Sequence, residues 1–149
     1  MGDNGTAKTA EQLLDELAIS GLLARLAQLA DRGDLDEYIS HFTENATWEL
    51  ANAYGLPLEE QIRRGHPDIL AGVRERREAG VQGPGTATKH DISSVVVTVD
   101  GDRAGASTYF RYYEHTDRSP VLTAIGRYED EFVRSPQGWL LARRVIHRD

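Results

Sequence analysis

The final stretch of about two-fifths of the chain most constrains the fold. From "TATKHDISSVVVTV" onwards, four β-rich runs follow one another between turn signals, with no helical period intervening. They cover about 86–99, 103–115, 121–134 and 138–147. "DGD" joins the first pair and "SPQG" the last, and Asp-Gly between such runs is a strong hairpin signal. Four long antiparallel neighbours present a broad sheet face that must be covered, and the N-terminal half of the chain has to cover it.

That half reads as helices. "AEQLLDELAISGLLARLAQLAD" at 10–31 clusters Leu22, Leu26, Leu29 and Ala30 on one side of an amphipathic helix. "RGD" breaks the pattern, and Asp34 can cap a shorter helix, "LDEYISHF", with Glu37 in capping-box register. "NATWEL" follows as a short strand, then "AYGLPLEEQIRRGHPD" as a loop or partly helical segment over the pocket mouth. "HPDILAGVRERREAG" is a third helix, with Pro67 near its start and Gly80 at its end. The expectation is one α+β domain over 10–149 after a flexible tail at 1–9. Its three N-terminal helices pack on a curved, mostly antiparallel sheet and enclose an apolar pocket.

At 149 residues a chain can hide roughly 70% of its unfolded surface in one core. The net charge of −7 argues against nucleic acid, and the one basic cluster, "RERR" at 74–77, reads as a solvated helix face. No apolar run is long enough to span a membrane, and "MGDNGTAKTAEQ" lacks a secretory leader's basic start and apolar centre. With no cysteine, the expected compartment is cytoplasmic. The five histidines, His41, His66, His90, His115 and His147, lack close ligand spacing, so no metal is expected. Tyr and Val residues on the outer sheet face suggest a homodimer.

"LARLAQLADRGDLDEYISHFTENATWEL", "TKHDISSVVVTVDGDRAGASTY" and "GRYEDEFVRSPQGWLLARRVI" together resemble the SnoaL-like branch of the nuclear transport factor two-like superfamily. The resemblance runs from about 10 to 147 and implies a cone-shaped fold. Scytalone dehydratase, hexachlorocyclohexane dehydrochlorinase, bile-acid dehydratase, ketosteroid isomerase, limonene epoxide hydrolase and polyketide cyclases share it, so the fold alone does not name a reaction. In the dehydratase and dehydrochlorinase members, an aspartate ending the first helix holds a histidine at the start of a long strand. Asp31 and His90 match these positions, and Arg144, five residues after Trp139, matches an arginine that stabilises the leaving group.

Each residue type suits its implied role. Neutral imidazole can accept a proton at neutral pH when its tautomer is fixed, and a buried aspartate on the other ring nitrogen fixes it. Arginine remains cationic in an apolar site and can stabilise a developing anion. The resemblance therefore implies β-elimination on a small apolar organic substrate, without a cofactor. Alternatives are a polyketide cyclase or ketosteroid-type isomerase, less favourably an epoxide hydrolase, and, in a different class, a non-catalytic ligand-binding or protein-interaction module.

The residues by themselves leave other roles open. On an ideal wheel Asp31 lies about 140° from Leu26, off the apolar stripe, which suits a helix-ending polar residue. Strand parity groups His90 with Ile92, Ser94 and Val96, a mixed face, and Arg144 reads equally as an exposed ion-pair residue. Ala30 and Leu26 stand where dehydratases carry a helix tyrosine, so a proton donor would come from Tyr54, Tyr109, Tyr112, Tyr113, His115 or Tyr128. Tyr113 is the most suggestive, because a functional histidine lies near there in scytalone dehydratase. Asp130 shares parity with Tyr128 and Phe132 and reads as structural. The expected substrate-binding residues are Leu26, Trp48, Tyr54, Phe110, Tyr113 and Tyr128, with Leu50, Leu56, Ile69 and Leu122 as further apolar wall.

Overall fold

Thr9 and Gln12 close a reciprocal capping box, each side chain meeting the other's backbone N–H, and helix α1 runs from it over Ala10–Arg32. The computed structural model describes residues 7–51 and 61–149. Helix α2 covers Leu35–Ser40, followed by strands β1 (Phe42–Leu50) and β2 (Ile62–Arg64) and helix α3 (Gly65–Glu78). The meander follows as β3 (Lys89–Asp100), β4 (Arg103–Glu114), β5 (Val121–Ser135) and β6 (Gly138–Arg148).

The expected elements are present with small changes. Helix α3 begins at Gly65, placing Pro67 within its first turn, where a missing N–H costs nothing. Asp34 caps α2 by accepting from the Glu37 N–H at 2.9 Å, but the box is not reciprocal because the Glu37 carboxylate binds Arg25. Most of the segment expected over the mouth, 52–60, lies outside the described residues; its far end forms β2, paired antiparallel with β1.

The six strands are ordered β2-β1-β6-β5-β4-β3. The four meander strands are antiparallel neighbours as expected, and β1 adds parallel to β6, making the sheet mixed. Register shifts interrupt most of these ladders, and each adds local twist that helps the sheet curl round the helices. The shift in β3 falls between Ser93 and Val96, with Ser94 in the left-handed region at φ 53°. It overturns the expected parity. His90 and Ile92 share the inner face before the bulge, whereas Val95, Val97 and Val99 take it afterwards and Val96 is exposed.

Helix α1 lies along β3 and buries Ile19, Leu23, Leu26 and Leu29, leaving Leu22 and Ala30 half-buried. Helices α2 and α3 complete the core with Tyr38, Ile39, Ile69 and Val73 against Phe42, Phe132 and Leu141 of the sheet. Burying an aliphatic or aromatic side chain of this size stabilises by roughly 1.5–3 kcal/mol, so this layer can fix the helices on the sheet. Among the described residues no helix is long and apolar enough to cross a membrane.

Candidate functional site

The C-terminal end of α1 meets the start of β3. Asp31 Oδ1 lies 2.7 Å from His90 Nδ1, and the Asp31 carboxylate also accepts the His90 backbone N–H, at 2.9 and 3.2 Å to its two oxygens. The backbone bond fixes where the strand begins relative to the helix; the ring bond fixes the imidazole. With a carboxylate at Nδ1, the neutral ring carries its proton there and presents Nε2 as an acceptor. Nε2 has no hydrogen-bond partner among the described residues, and His90 lines a cavity.

Arg77 on α3 holds Asp31 in place. Its guanidinium donates to the carbonyls of Leu29, Ala30 and Gly33 at 2.9 to 3.4 Å, meeting α1 where a helix leaves its carbonyls unpaired and its dipole favours a cation. The Gly33 N–H also returns to the Leu29 carbonyl, and a Cβ at Gly33 would lie 2.7 Å from the Leu29 Cα, so only glycine fits this turn. The solvated-face reading of "RERR" is therefore corrected for Arg77. It fails for Arg76 too, which is turned into the cavity, while Arg74 and Glu75 are exposed.

The cavity has a volume of about 340 Å³ and lies between α3 and the inner sheet face. Trp48, Phe110, Tyr112 and Tyr128 supply aromatic walls, with Leu50 and Ile146 beside them. Phe110 and Tyr128 stack with ring centroids 4.7 Å apart, and the Tyr112 ring lies 5.1 Å from that of His90. Phe110 can pack there because β5 has Gly126 opposite: a Cβ would come 2.9 Å from the Phe110 ring and 2.0 Å from the His147 carbonyl oxygen. The Tyr112 hydroxyl donates to the Val81 carbonyl at 2.6 Å, fastening the sheet to the turn after α3. Burial pushes the phenols of Tyr112 and Tyr128 above their ordinary values, in Tyr128 against the opposing influence of the Arg144 charge. Both are neutral donors at neutral pH.

Arg76 brings a cation to this wall. Its guanidinium lies 4.4 Å over the Trp48 ring and donates through Nε to Gln82 at 3.2 Å. Burial pulls its pKa below the ordinary arginine value, but an arginine retains its proton at neutral pH.

Arg144 is placed differently from either expectation. It is buried rather than exposed, and it does not line the cavity; Nε and Nη2 donate to the two Asp130 oxygens at 2.8 and 2.9 Å. Burial opposes its charge, yet the Asp130 carboxylate outweighs that effect and holds the pKa above its ordinary value. The guanidinium also lies 4.1 Å from the centroid of the Tyr128 ring. Its geometry suits positioning of Tyr128 rather than contact with a leaving group. The pair also removes the carboxylic acid that a ketosteroid isomerase arrangement would require, because Asp130 serves as a charged acceptor.

Of the expected lining, Trp48, Phe110 and Tyr128 are in place beside His90. Leu26 is instead a core residue, 1% exposed, packed beneath the helix layer. Tyr113 pairs with Lys89 and Leu122, on the sheet face opposite to Tyr112, so the cavity receives its neighbour. Tyr54 and Leu56 lie outside the described residues; Ile69 is core and Leu122 is exposed. Among the other proposed donors, Tyr109 and His115 are exposed. Among the described residues no three His, Asp or Glu side chains gather as a metal-binding group.

Sequence reasoning missed Arg76 and Arg77, and it offered Tyr112 only as one of several proton donors, not as part of the cavity wall. A signal existed for each: Tyr112 shares strand parity with Phe110, and Arg76 and Arg77 continue the helical stripe through Ile69, Gly72 and Val73.

A SnoaL-like domain model matches residues 11–145. An uncharacterized protein of Mycobacterium tuberculosis is 27% identical over 136 residues, covering 90% of this chain and 85% of its own. An NTF2-like protein with a cystatin-like fold from Novosphingobium aromaticivorans superposes with a TM-score of 0.78 at 23% identity, covering 93% of this chain and 84% of the other. A candidate scytalone dehydratase from the same species gives 0.72 at 18% identity, covering 95% and 89%. The structural likenesses concern the fold, and chemistry must be argued from the side chains.

Proposed function

Given that the chain belongs to the SnoaL-like family, whose fold carries small-molecule-binding and isomerase- or dehydratase-type proteins, we propose that it is a cofactor-independent lyase of dehydratase type. The observation that carries this reading is the 2.7 Å contact between His90 Nδ1 and Asp31, with Nε2 unpartnered among the described residues and His90 lining the cavity.

In the proposed reaction, Nε2 removes the proton α to an electron-withdrawing group of an apolar substrate. The C–H electron pair forms the double bond as the β C–O bond breaks. Asp31 keeps the Nδ1 proton in place and favours the imidazolium that forms. The Nε2 proton passes to the departing hydroxide, so water leaves and His90 returns to its starting state. Tyr128, kept protonated by burial, donates a hydrogen bond to oxygen as charge develops. Arg144 acts through Tyr128 as a positioning residue.

The test is a panel of β-hydroxy aryl ketones, followed by the ultraviolet absorbance of the conjugated enone. Turnover by the wild type and its loss in His90→Ala and His90→Asn, with circular dichroism unchanged, is the expected result. Undiminished turnover in either folded variant would sink the elimination mechanism. Saturable binding of the panel without turnover by the wild type would favour the non-catalytic binding module.

A further inference from the structure

The His90 mechanism leaves Arg76 without a task. Its side chain is half-buried, it lines the same cavity, and among the described residues it has no carboxylate partner. The adjacent acid, Glu75, is bound by Arg63 on the outside of α3. Gln82 supplies an amide oxygen, and Trp48 supplies a ring face. Neither carries a formal charge.

A cation held away from water without a counter-ion is costly, and a site that retains one favours an anion there. The interior has a built-in control in Arg144, which is more deeply buried, in the sheet, and is fully matched by the two Asp130 oxygens. At the cavity, Arg148 adds a second positive group to the lining, and Glu114 is the one carboxylate among the described lining residues. The Glu114 carboxylate accepts from the Thr123 hydroxyl at 3.1 Å. The aromatic walls around Trp48, Phe110 and Tyr128 suit a flat apolar body. A volume of about 340 Å³ lies at the small end of the roughly 300–1,000 Å³ common for ligand sites.

We infer that the site takes a small aromatic carboxylic acid, whose carboxylate docks on the Arg76 guanidinium while its ring lies between the aromatic walls. The inference rests on the proposed function for the location of the site, but not for the proton transfer. Arginine matches a carboxylate through two parallel N–H donors, and among the described residues the Nε contact to Gln82 leaves the terminal nitrogens available for that geometry.

The experiment compares 2-naphthoate with 2-naphthamide, a neutral probe of similar shape, by quenching of tryptophan fluorescence and by calorimetry. Charge-assisted bonds in a partly dry site predict that the wild type prefers the acid by about 10-fold or more. Arg76→Gln should abolish this preference while still binding the amide, which confirms that the variant keeps its cavity. Arg76→Lys should retain part of the preference. His90→Ala should keep it, so the inference stands even where the elimination reading fails. Equal affinity of the wild type for both probes, absence of binding by either, or a preference that survives Arg76→Gln overturns it.

Discussion

Helix α1 carries an inward-reaching aspartate near each end, and the two have opposite consequences. Asp15 and Asp31 stand about 24 Å apart along the helix at its usual rise, and their side chains are similarly covered, at 12% and 10% exposed. Asp15 accepts both Arg134 terminal nitrogens, at 2.9 and 2.8 Å, and the Trp139 indole N–H at 3.1 Å. Arg134 then lies over the Trp139 ring at 4.4 Å and reaches the Gly101 carbonyl and Asp102. Every member of that cluster is matched. At the other end Asp31 holds a histidine with one nitrogen to spare, beside an arginine over a tryptophan at the same 4.4 Å but with no carboxylate of its own among the described residues. The same side-chain types make a clasp when complete and, under the proposed function, a reactive site when one partner is left over.

The largest expected effect separates the two ends. His90→Ala should lower kcat/KM by about 10²–10⁴-fold, the usual contribution of a positioned base. Its melting temperature should change little, since Asp31 still accepts the backbone N–H of residue 90. Asp15→Ala should do the reverse, lowering the melting temperature by leaving Arg134 and the Trp139 indole without their shared acceptor, with turnover per folded molecule preserved. Thermal melts and steady-state kinetics on both variants check the contrast. An Asp15 variant that melts normally but turns over poorly would dissolve it.

A smaller effect is expected where the two aspects meet. Arg77 touches neither cavity nor substrate, yet it holds the carbonyls from which Asp31 projects. Arg77→Met should loosen the dyad and lower kcat by about tenfold while leaving KM near its original value, as expected when a base is displaced and the binding walls are not. Arg77→Lys, which keeps a cation near the same carbonyls, should recover part of the rate. A general loss of stability with kcat unchanged would assign Arg77 to structure alone.

This division explains what could be read from the sequence. The meander, the helix starts and the Asp31–His90 pairing were legible because turn residues, caps and a family pattern each speak locally. Arg76 and Arg77 were hidden by their own charge: "RERR" suggests solvent, although the stripe through Ile69 and Val73 runs straight into them. Asp15 was obscured in the same way on the stripe through Ile19 and Leu23. Tyr113 was favoured by resemblance over Tyr112, whereas parity with buried Phe110 identifies the inward ring. The bulge after Ser93 had no sequence signal of comparable strength, and it reverses the faces of the remainder of β3. In each of these cases a polar residue stands on an apolar stripe, or a parity rule is broken, and most of them lie near the cavity.

The smallest effect concerns pH, and it assigns each end of the molecule its own limit. Hydrogen bonding to Arg134 holds the Asp15 carboxyl below its ordinary value of 3.8. Between its folded and unfolded values the unfolded chain binds the extra proton, so the stabilisation present above about pH 4 is lost as pH falls. Tyr128 titrates in the opposite sense. Burial raises its phenol above the ordinary value of 10.0, so the folded state keeps a proton that the unfolded chain releases. Its stabilisation is full below about pH 10 and declines as pH rises beyond that. Chemical denaturation across pH should therefore show an acid limb flattened by Asp15→Asn and an alkaline limb flattened by Tyr128→Phe, each variant leaving the other limb in place. If Tyr128→Phe altered the acid limb instead, the clasp and the cavity would not be electrostatically separate, and the distinction between the two ends of α1 would have to be abandoned.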